Sequence, residues 1–333
     1  MDSGYFLFSL DTELAWGHYD YDDLRAKLFS PDGSRERRKI ERILAIFNEF
    51  EIVGTWAIVG HLWYERCVEC EVCPVLEWRG RYASADQIIG TAHPLWYGPD
   101  VVERIAASPT PQEIAFHGYT HTPFSEATMS AAQAQLEISE GVRLAAARGV
   151  QLRAMVFPRN RIGHLGLFKQ AGFTTFRGAE VWPRPYRAPL LGKFLRRYNY
   201  YVSILTTPQV FEPSIDASGL VDLPASRWLF GLDARTDAAL DNRGWGHIRT
   251  NSMIRGIRRA AAEKKVIHLW AHPYEFATEH AFDKLRRLAE AVAEERAAGR
   301  MRSVGMTELA RLASGSTPDA ATAHSVAPAL GKG

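Results

Sequence analysis

The chain has 333 residues, 46% of them hydrophobic, enough to bury a barrel-sized core as one domain. Its 40 lysines and arginines against 38 aspartates and glutamates leave a net charge of +2, too little to recruit nucleic acid, so a nucleic-acid polymer is excluded as the expected partner. The N-terminus has no basic leader, its first apolar run (5–10) is too short for a signal peptide or membrane span, and Cys67, Cys70 and Cys73 form no disulfide framework, so a cytoplasmic protein is expected.

Apolar runs rich in β-branched and aromatic residues predict buried strands at 5–10, 52–58, 113–116, 153–157, 172–176, 220–223 and 266–270. Helical spacing appears between several of them, first at Ile40, Ile43, Leu44 and Phe47, then over 130–148, 252–264 and 281–299. This alternation predicts an α/β fold with a parallel sheet whose repeats suffice to close, or nearly close, a barrel. One domain is expected over 1–313. Within it 62–112, rich in tryptophan, tyrosine and proline, would form a cap or substrate wall, and 314–333, made of small and polar residues, a mobile tail.

Active groups of such a sheet sit where strands end. Asp11, His117, Arg159, Asp222 and His272 all fall at or just past predicted strand ends. In Ser9-Leu10-Asp11-Thr12-Glu13 two carboxylates lie two positions apart, a pattern that alone is more often a turn-capping aspartate. In Phe116-His117-Gly118-Tyr119-Thr120-His121 two histidines lie four apart and can present both rings on one face of a turn. Two imidazoles and a carboxylate suit Zn²⁺ with a position left for water, and the same set would hold Fe²⁺, Co²⁺ or Mn²⁺. His272, directly before Pro273 at a strand end, is placed to protonate a leaving amine, whereas His268 inside the strand reads as core.

Together these segments resemble the polysaccharide deacetylase (NodB-homology) superfamily, related to carbohydrate esterase family 4. Its motifs comprise a carboxylate pair, His-x-x-x-His, an arginine motif and Leu-x-x-His. The resemblance runs from Tyr5 to about Leu312 and includes Gly54-Thr55-Trp56-Ala57-Ile58-Val59-Gly60-His61, similar to the second strand of intracellular-type members. Most members carry adjacent acidic residues; Asp11-Thr12-Glu13 resembles a branch that spaces them, with Thr12 at the commoner ligand position. The resemblance implies a distorted (β/α)7-type barrel, Asp11 as general base, and Glu13, His117 and His121 as metal ligands, with the Asp11 and Glu13 roles open to exchange. It implies Arg159, with Arg161 as rival, to orient Asp11, and Asp222 to orient His272 as the acid.

The implied activity is metal-assisted hydrolysis of an N-acyl group, foremost N-acetyl, on a sugar. Cytoplasmic signals favour a nucleotide- or lipid-linked precursor of a surface glycan such as lipopolysaccharide, O-antigen or exopolysaccharide. Residues 182–200 mix Arg184, Arg187, Lys193, Arg196 and Arg197 with aromatics, and are a candidate for peripheral contact with the inner face of the cytoplasmic membrane, although their prolines favour a solvated loop. The cysteines read as reduced thiols packed in the cap, with a zinc site including His61 or His93 as the second reading. Two rival functions remain: a metal-free ureide or cyclic-amide hydrolase of the same fold, and a carbohydrate-binding pseudoenzyme.

Overall fold

The computed structural model describes residues 1–68, 70, 75, 77, 79–180, 191–192, 194–195, 207–230, 243–244 and 246–315. Its organising strand is β1 (Gly4–Thr12), buried along its whole length. Such a run, without polar alternation, marks a strand covered on both faces. Phe6, Phe8 and Leu10 belong to the large core formed with the helices, while Tyr5 and Leu7 belong to a second cluster with the small side chains Ala57, Ala115 and Ala154. Odd positions of β1 therefore face the inside of a curled sheet, and Ser9 and Asp11 continue that inner row towards the strand's C-terminal end.

After β1 come α1 (Asp22–Leu28), α2 (Ser34–Glu49) and β2 (Gly54–Ile58). Ile40, Ile43, Leu44 and Phe47 of α2 are buried, and Phe47 meets Phe8 and Trp56 edge-on with ring centroids 5.7 and 6.1 Å apart. The excursion expected at 62–112 contains α3 (Ser84–Ile88) and α4 (Pro99–Ala106), the latter with proline in its first turn. Next come β3 (Glu113–Phe116) and α5 (Ala131–Ala146); Ser130 closes a capping box with Gln133, the start signal expected at 130.

Three short strands follow, β4 (Ala154–Met155), β5 (Thr175–Phe176) and the hairpin strand β6 (Ser214–Ile215), with α6 (Leu165–Gln170) between β4 and β5. The chain then forms β7 (Val221–Asp222), β8 (Arg227–Trp228), α7 (Gly246–Glu263), β9 (Val266–Ala271), α8 (Glu279–Ala297), β10 (Met301–Ser303) and α9 (Met306–Ser314).

The sheet runs β6-β7-β5-β4-β3-β2-β1-β9-β8, with β10 also on β1, and is parallel except for β6 against β7. It curls into a distorted, open barrel, as expected. Among the described residues there are ten strands where seven were expected, because β6, β8 and β10 are two or three residues long and too short to show a period. Met306, Leu309 and Ala310 of α9 join Tyr5, Leu7 and Val266 and plug the N-terminal end of the barrel, leaving polar groups at the other end.

Candidate active site

The carboxylates stand at the open end of β1. Beyond Glu13 the backbone turns through Leu14 at φ 45° into a short 3-10 turn, Trp16–His18, fixed by the Trp16 indole N–H donating to Trp96 O at 2.8 Å. Glu13 folds back over Gly17, where any Cβ would overlap its Oε1. Asp11 and Glu13 are both 3% exposed.

The histidines come from the loop after β3. The backbone N–H of His117 donates to Ile58 O, which extends the ladder by one residue, and Gly118 (φ 79°) and His121 (φ 60°) then turn the chain back. His117 Nδ1 lies 2.7 Å from Val156 O. A carbonyl only accepts, so Nδ1 carries the proton and the Nε2 lone pair faces the carboxylates. Glu13 Oε2 lies 2.7 Å from His121 Nε2 and 3.3 Å from His117 Nε2.

Glu13, His117 and His121 offer three ligand atoms within 4.8 Å of one another. His121 Nε2 faces the Glu13 carboxylate, and its Nδ1 is buried without a hydrogen-bond partner among the described residues. Two nitrogens plus one carboxylate oxygen are the donor set of an open Zn²⁺ site. The residues present fit a divalent metal.

Asp11 is held by Arg177. Nη1 donates to Oδ1 at 2.6 Å and Nη2 to Oδ2 at 2.8 Å, and the same guanidinium donates to Ser9 Oγ and Asn160 Oδ1, each at 3.0 Å. Its side chain is fully buried and lies over the Trp270 ring. Ser9 in turn donates to His268 Nε2 at 2.9 Å, while His268 Nδ1 faces Leu223 O. Burial pushes the Asp11 carboxyl up, but Arg177, with His117 and His272, outweighs it and the net shift is down. Burial likewise opposes ionisation of Glu13, yet the neighbouring histidines, His121 first, hold it well below the usual carboxylate range.

The arginine expected at Asp11 is thus neither Arg159 nor Arg161. Arg159 and Asn160 both adopt positive φ (52°), and Arg159 swings outward to donate to Asp20 at 3.0 Å. Arg161 is exposed. Arg177 is the first residue past β5 and the predicted 172–176 strand, so the strand-end rule that selected Asp11 and His272 would also have found it.

Asp222 does not reach His272 either. It packs against Gly178, its Oδ1 is buried without a hydrogen bond among the described residues, and burial, with Asp216, pushes its carboxyl up to about 6. The carboxylate beside His272 is Glu275, whose Oε2 lies 3.1 Å from Nδ1 and also accepts the Trp228 indole N–H and the His272 backbone N–H. Three residues of a tight turn suffice to bring the two side chains together. Burial pulls the His272 imidazolium down, but Glu275, aided by Glu13 and Asp11, raises it to about 9. His272 Nε2 lies 3.9 Å from Asp11 Oδ2 and 4.0 Å from Glu13 Oε1, and its ring stacks on Tyr274. Residue types alone did not single out His18, which meets Tyr274 edge-on, has a buried Nδ1 without a hydrogen bond among the described residues, and is held near 4 by burial.

The excursion touches this end of the barrel, since Ala15 N–H donates to Leu95 O beside the Trp16–Trp96 bond. Cys67 and Cys70 are half-buried and form no disulfide among the described residues, with Cys70 Sγ 3.6 Å from His61 Nε2; Cys73 lies outside the described residues. Most of 182–200 and all of 316–333 also lie outside them. Among the described residues no helix is long and apolar enough to cross a membrane.

No family model and no curated protein matches the chain. Solved structures do. One described as a polysaccharide deacetylase of Mycobacterium smegmatis is 16% identical with a TM-score of 0.54, over 96% of this chain and 93% of that one. Another described as a polysaccharide deacetylase, from Pseudomonas aeruginosa PAO1, and an allantoinase each show 14% identity and a TM-score of 0.53, over 92% of this chain and 89% of theirs. One backbone thus carries more than one chemistry, and the side chains must choose between them. The chain shares the fold of these solved structures, a distorted, open α/β barrel.

Proposed function

We propose that the protein is a metal-dependent deacetylase that hydrolyses an N-acyl group, foremost N-acetyl, on a carbohydrate. The observation that carries this reading is the convergence of His121 Nε2 and the tautomer-fixed His117 Nε2 on Glu13 Oε2, at 2.7 and 3.3 Å, among buried side chains. A ureide hydrolase working without metal would have no need of two imidazole nitrogens converging on one buried carboxylate.

Glu13, His117 and His121 would hold the ion, Zn²⁺ foremost, with Fe²⁺, Co²⁺ and Mn²⁺ as alternatives. When bound, a divalent ion supplies Lewis acidity to the acyl oxygen and lowers the pKa of water. Two contacts support Glu13 rather than Asp11 as the ligand. Glu13 Oε2 stands within 3.3 Å of both imidazole nitrogens, whereas Asp11 stays 3.9 Å from His117 Nε2 with both oxygens committed to Arg177. Fixed and ionised, Asp11 is suited to take a proton from water. His272, protonated at neutral pH through Glu275, is suited to deliver a proton to the departing amine from Nε2, on the same side as Asp11.

The substrate we propose is a nucleotide- or lipid-linked precursor of a surface glycan, handled in the cytoplasm or at the inner face of its membrane. The test pairs metal analysis with amine release from a panel of N-acetylated nucleotide and lipid-linked sugars. His121→Ala is expected to lose both stoichiometric metal and amine release. Turnover that survives complete removal of metal would sink the mechanism.

A further inference from the structure

The ligating turn after β3 is held in an uncommon shape. Gly118 and His121 both have positive φ, a conformation L side chains rarely adopt, so His121 needs support from outside the turn. One flank is tied to the end of β2, where Gly60 N–H donates to Gly118 O at 2.9 Å and His61 N–H to Tyr119 O at 3.2 Å. The other flank faces α5. There Glu137, 5% exposed, receives the Tyr119 N–H at 2.7 Å and the Thr120 N–H at 3.1 Å on Oε2, and the Thr120 hydroxyl on Oε1. Successive amides converging on one carboxylate form a small anion nest closed by the protein's own side chain.

Glu137 can reach the turn only if α5 lies close to β3. Gly141, one helical turn on and on the same face, permits that approach, because a Cβ there would overlap the ring of Phe116, the residue just before His117. A glycine in a helix interior is unfavourable by itself, and here it has a packing reason.

We propose that the Glu137–Gly141 face of α5 is the outer support of the metal site: Glu137 is a positioning residue that pre-sets the His121 backbone for coordination, and Gly141 sets the distance at which it acts. The inference rests on the metal reading above, and Glu137 itself ligates nothing.

The test strips metal from the protein and titrates Zn²⁺ against a chromophoric chelator, with thermal unfolding of the metal-free protein alongside. Loss of such outer-shell contacts costs metal affinity about 10–100-fold, and this range is expected for Glu137→Ala. Glu137→Gln is expected to bind close to wild type, because its amide oxygen can accept both backbone N–H groups while its NH₂ faces the Thr120 hydroxyl. Gly141→Ala keeps the carboxylate but moves it, and is expected to weaken Zn²⁺ by several-fold, at least roughly threefold, on the same outer-shell argument. Equal Zn²⁺ affinity in wild type and Glu137→Ala, with only the melting temperature changed, overturns the proposal. Should Glu137→Ala fail to fold, Gly141→Ala and Thr120→Val decide it by the same titration, and wild-type affinity in both overturns it. A wild-type protein that takes up no divalent metal overturns the metal reading itself.

Discussion

Replacing Arg177 by lysine retains a positive charge but removes the planar fork. Four hydrogen bonds leave that guanidinium, two to Asp11 and one each to Ser9 and Asn160, from a side chain with no exposure to solvent. An ammonium is a point charge that can keep one strong contact to Asp11 but cannot reproduce the pair, and a hydrogen bond to a charged group is worth about 1.5–3 kcal/mol. Arg177→Lys should therefore lower stability by about 2–4 kcal/mol, and Arg177→Ala, which strands a buried carboxylate, by about 3–5 kcal/mol. With Asp11, the base we propose, misaligned, kcat should fall by about a hundredfold or more while KM changes little. Arg159, 31% exposed and paired with Asp20, supplies the contrast: an exposed pair is worth about 0–1 kcal/mol, and Arg159→Ala should leave kcat nearly unchanged. Amine-release kinetics and thermal unfolding of the three variants settle the matter. Wild-type kcat in Arg177→Lys, or an equal loss in Arg159→Ala, would refute the placement of the orienting arginine.

Gly17→Ala inserts a methyl into the space Glu13 occupies, and should weaken Zn²⁺ about 10–100-fold in a competition titration without unfolding the barrel. Glu275→Gln removes the largest influence raising His272 to about 9, so the alkaline limb of the kcat/KM profile, expected near pH 9 in the wild type, should move to lower pH. Asp222 has the opposite logic. Its carboxyl is raised to about 6 from 3.8, so the folded state holds a proton that the unfolded state releases between these values, and the charge destabilises the fold as pH rises through that window. Asp222→Asn should raise the melting temperature at pH 7.5, with the gain vanishing near pH 3.5; no gain at pH 7.5 would contradict the burial argument.

The long strands and the strand-end rule were legible because β1, β3 and β9 are largely apolar runs and Asp11, His117 and His272 sit where those runs stop. Partner choice was not. Phe157-Pro158-Arg159 offers an arginine in the expected order, but consecutive left-handed residues turn it to solvent, a backbone event that no side-chain pattern announces. Asp222 has the right residue type at the end of the right strand. Glu275 nevertheless stands beside His272 because three residues within one turn bring the groups closer than any crossing of the barrel. Gly17 and Glu137 were invisible for a different reason: their importance lies in a Cβ that is absent and in backbone amides whose direction depends on a folded turn.

The pairing of β1 also bears on synthesis. Ser9 and His268 are 259 positions apart yet share a hydrogen bond, and both β9 and β10 lie against β1. On the ribosome the half of the site that carries Asp11 and Glu13 emerges first and must wait, with one edge of its strand uncovered, until the last quarter of the chain is made. Contacts that distant slow folding and leave an unpaired strand edge open to wrong partners in the interval. A nascent chain released before Val266 should be a poor folder and a ready substrate for chaperones, even though it already contains the whole Glu13, His117 and His121 cluster.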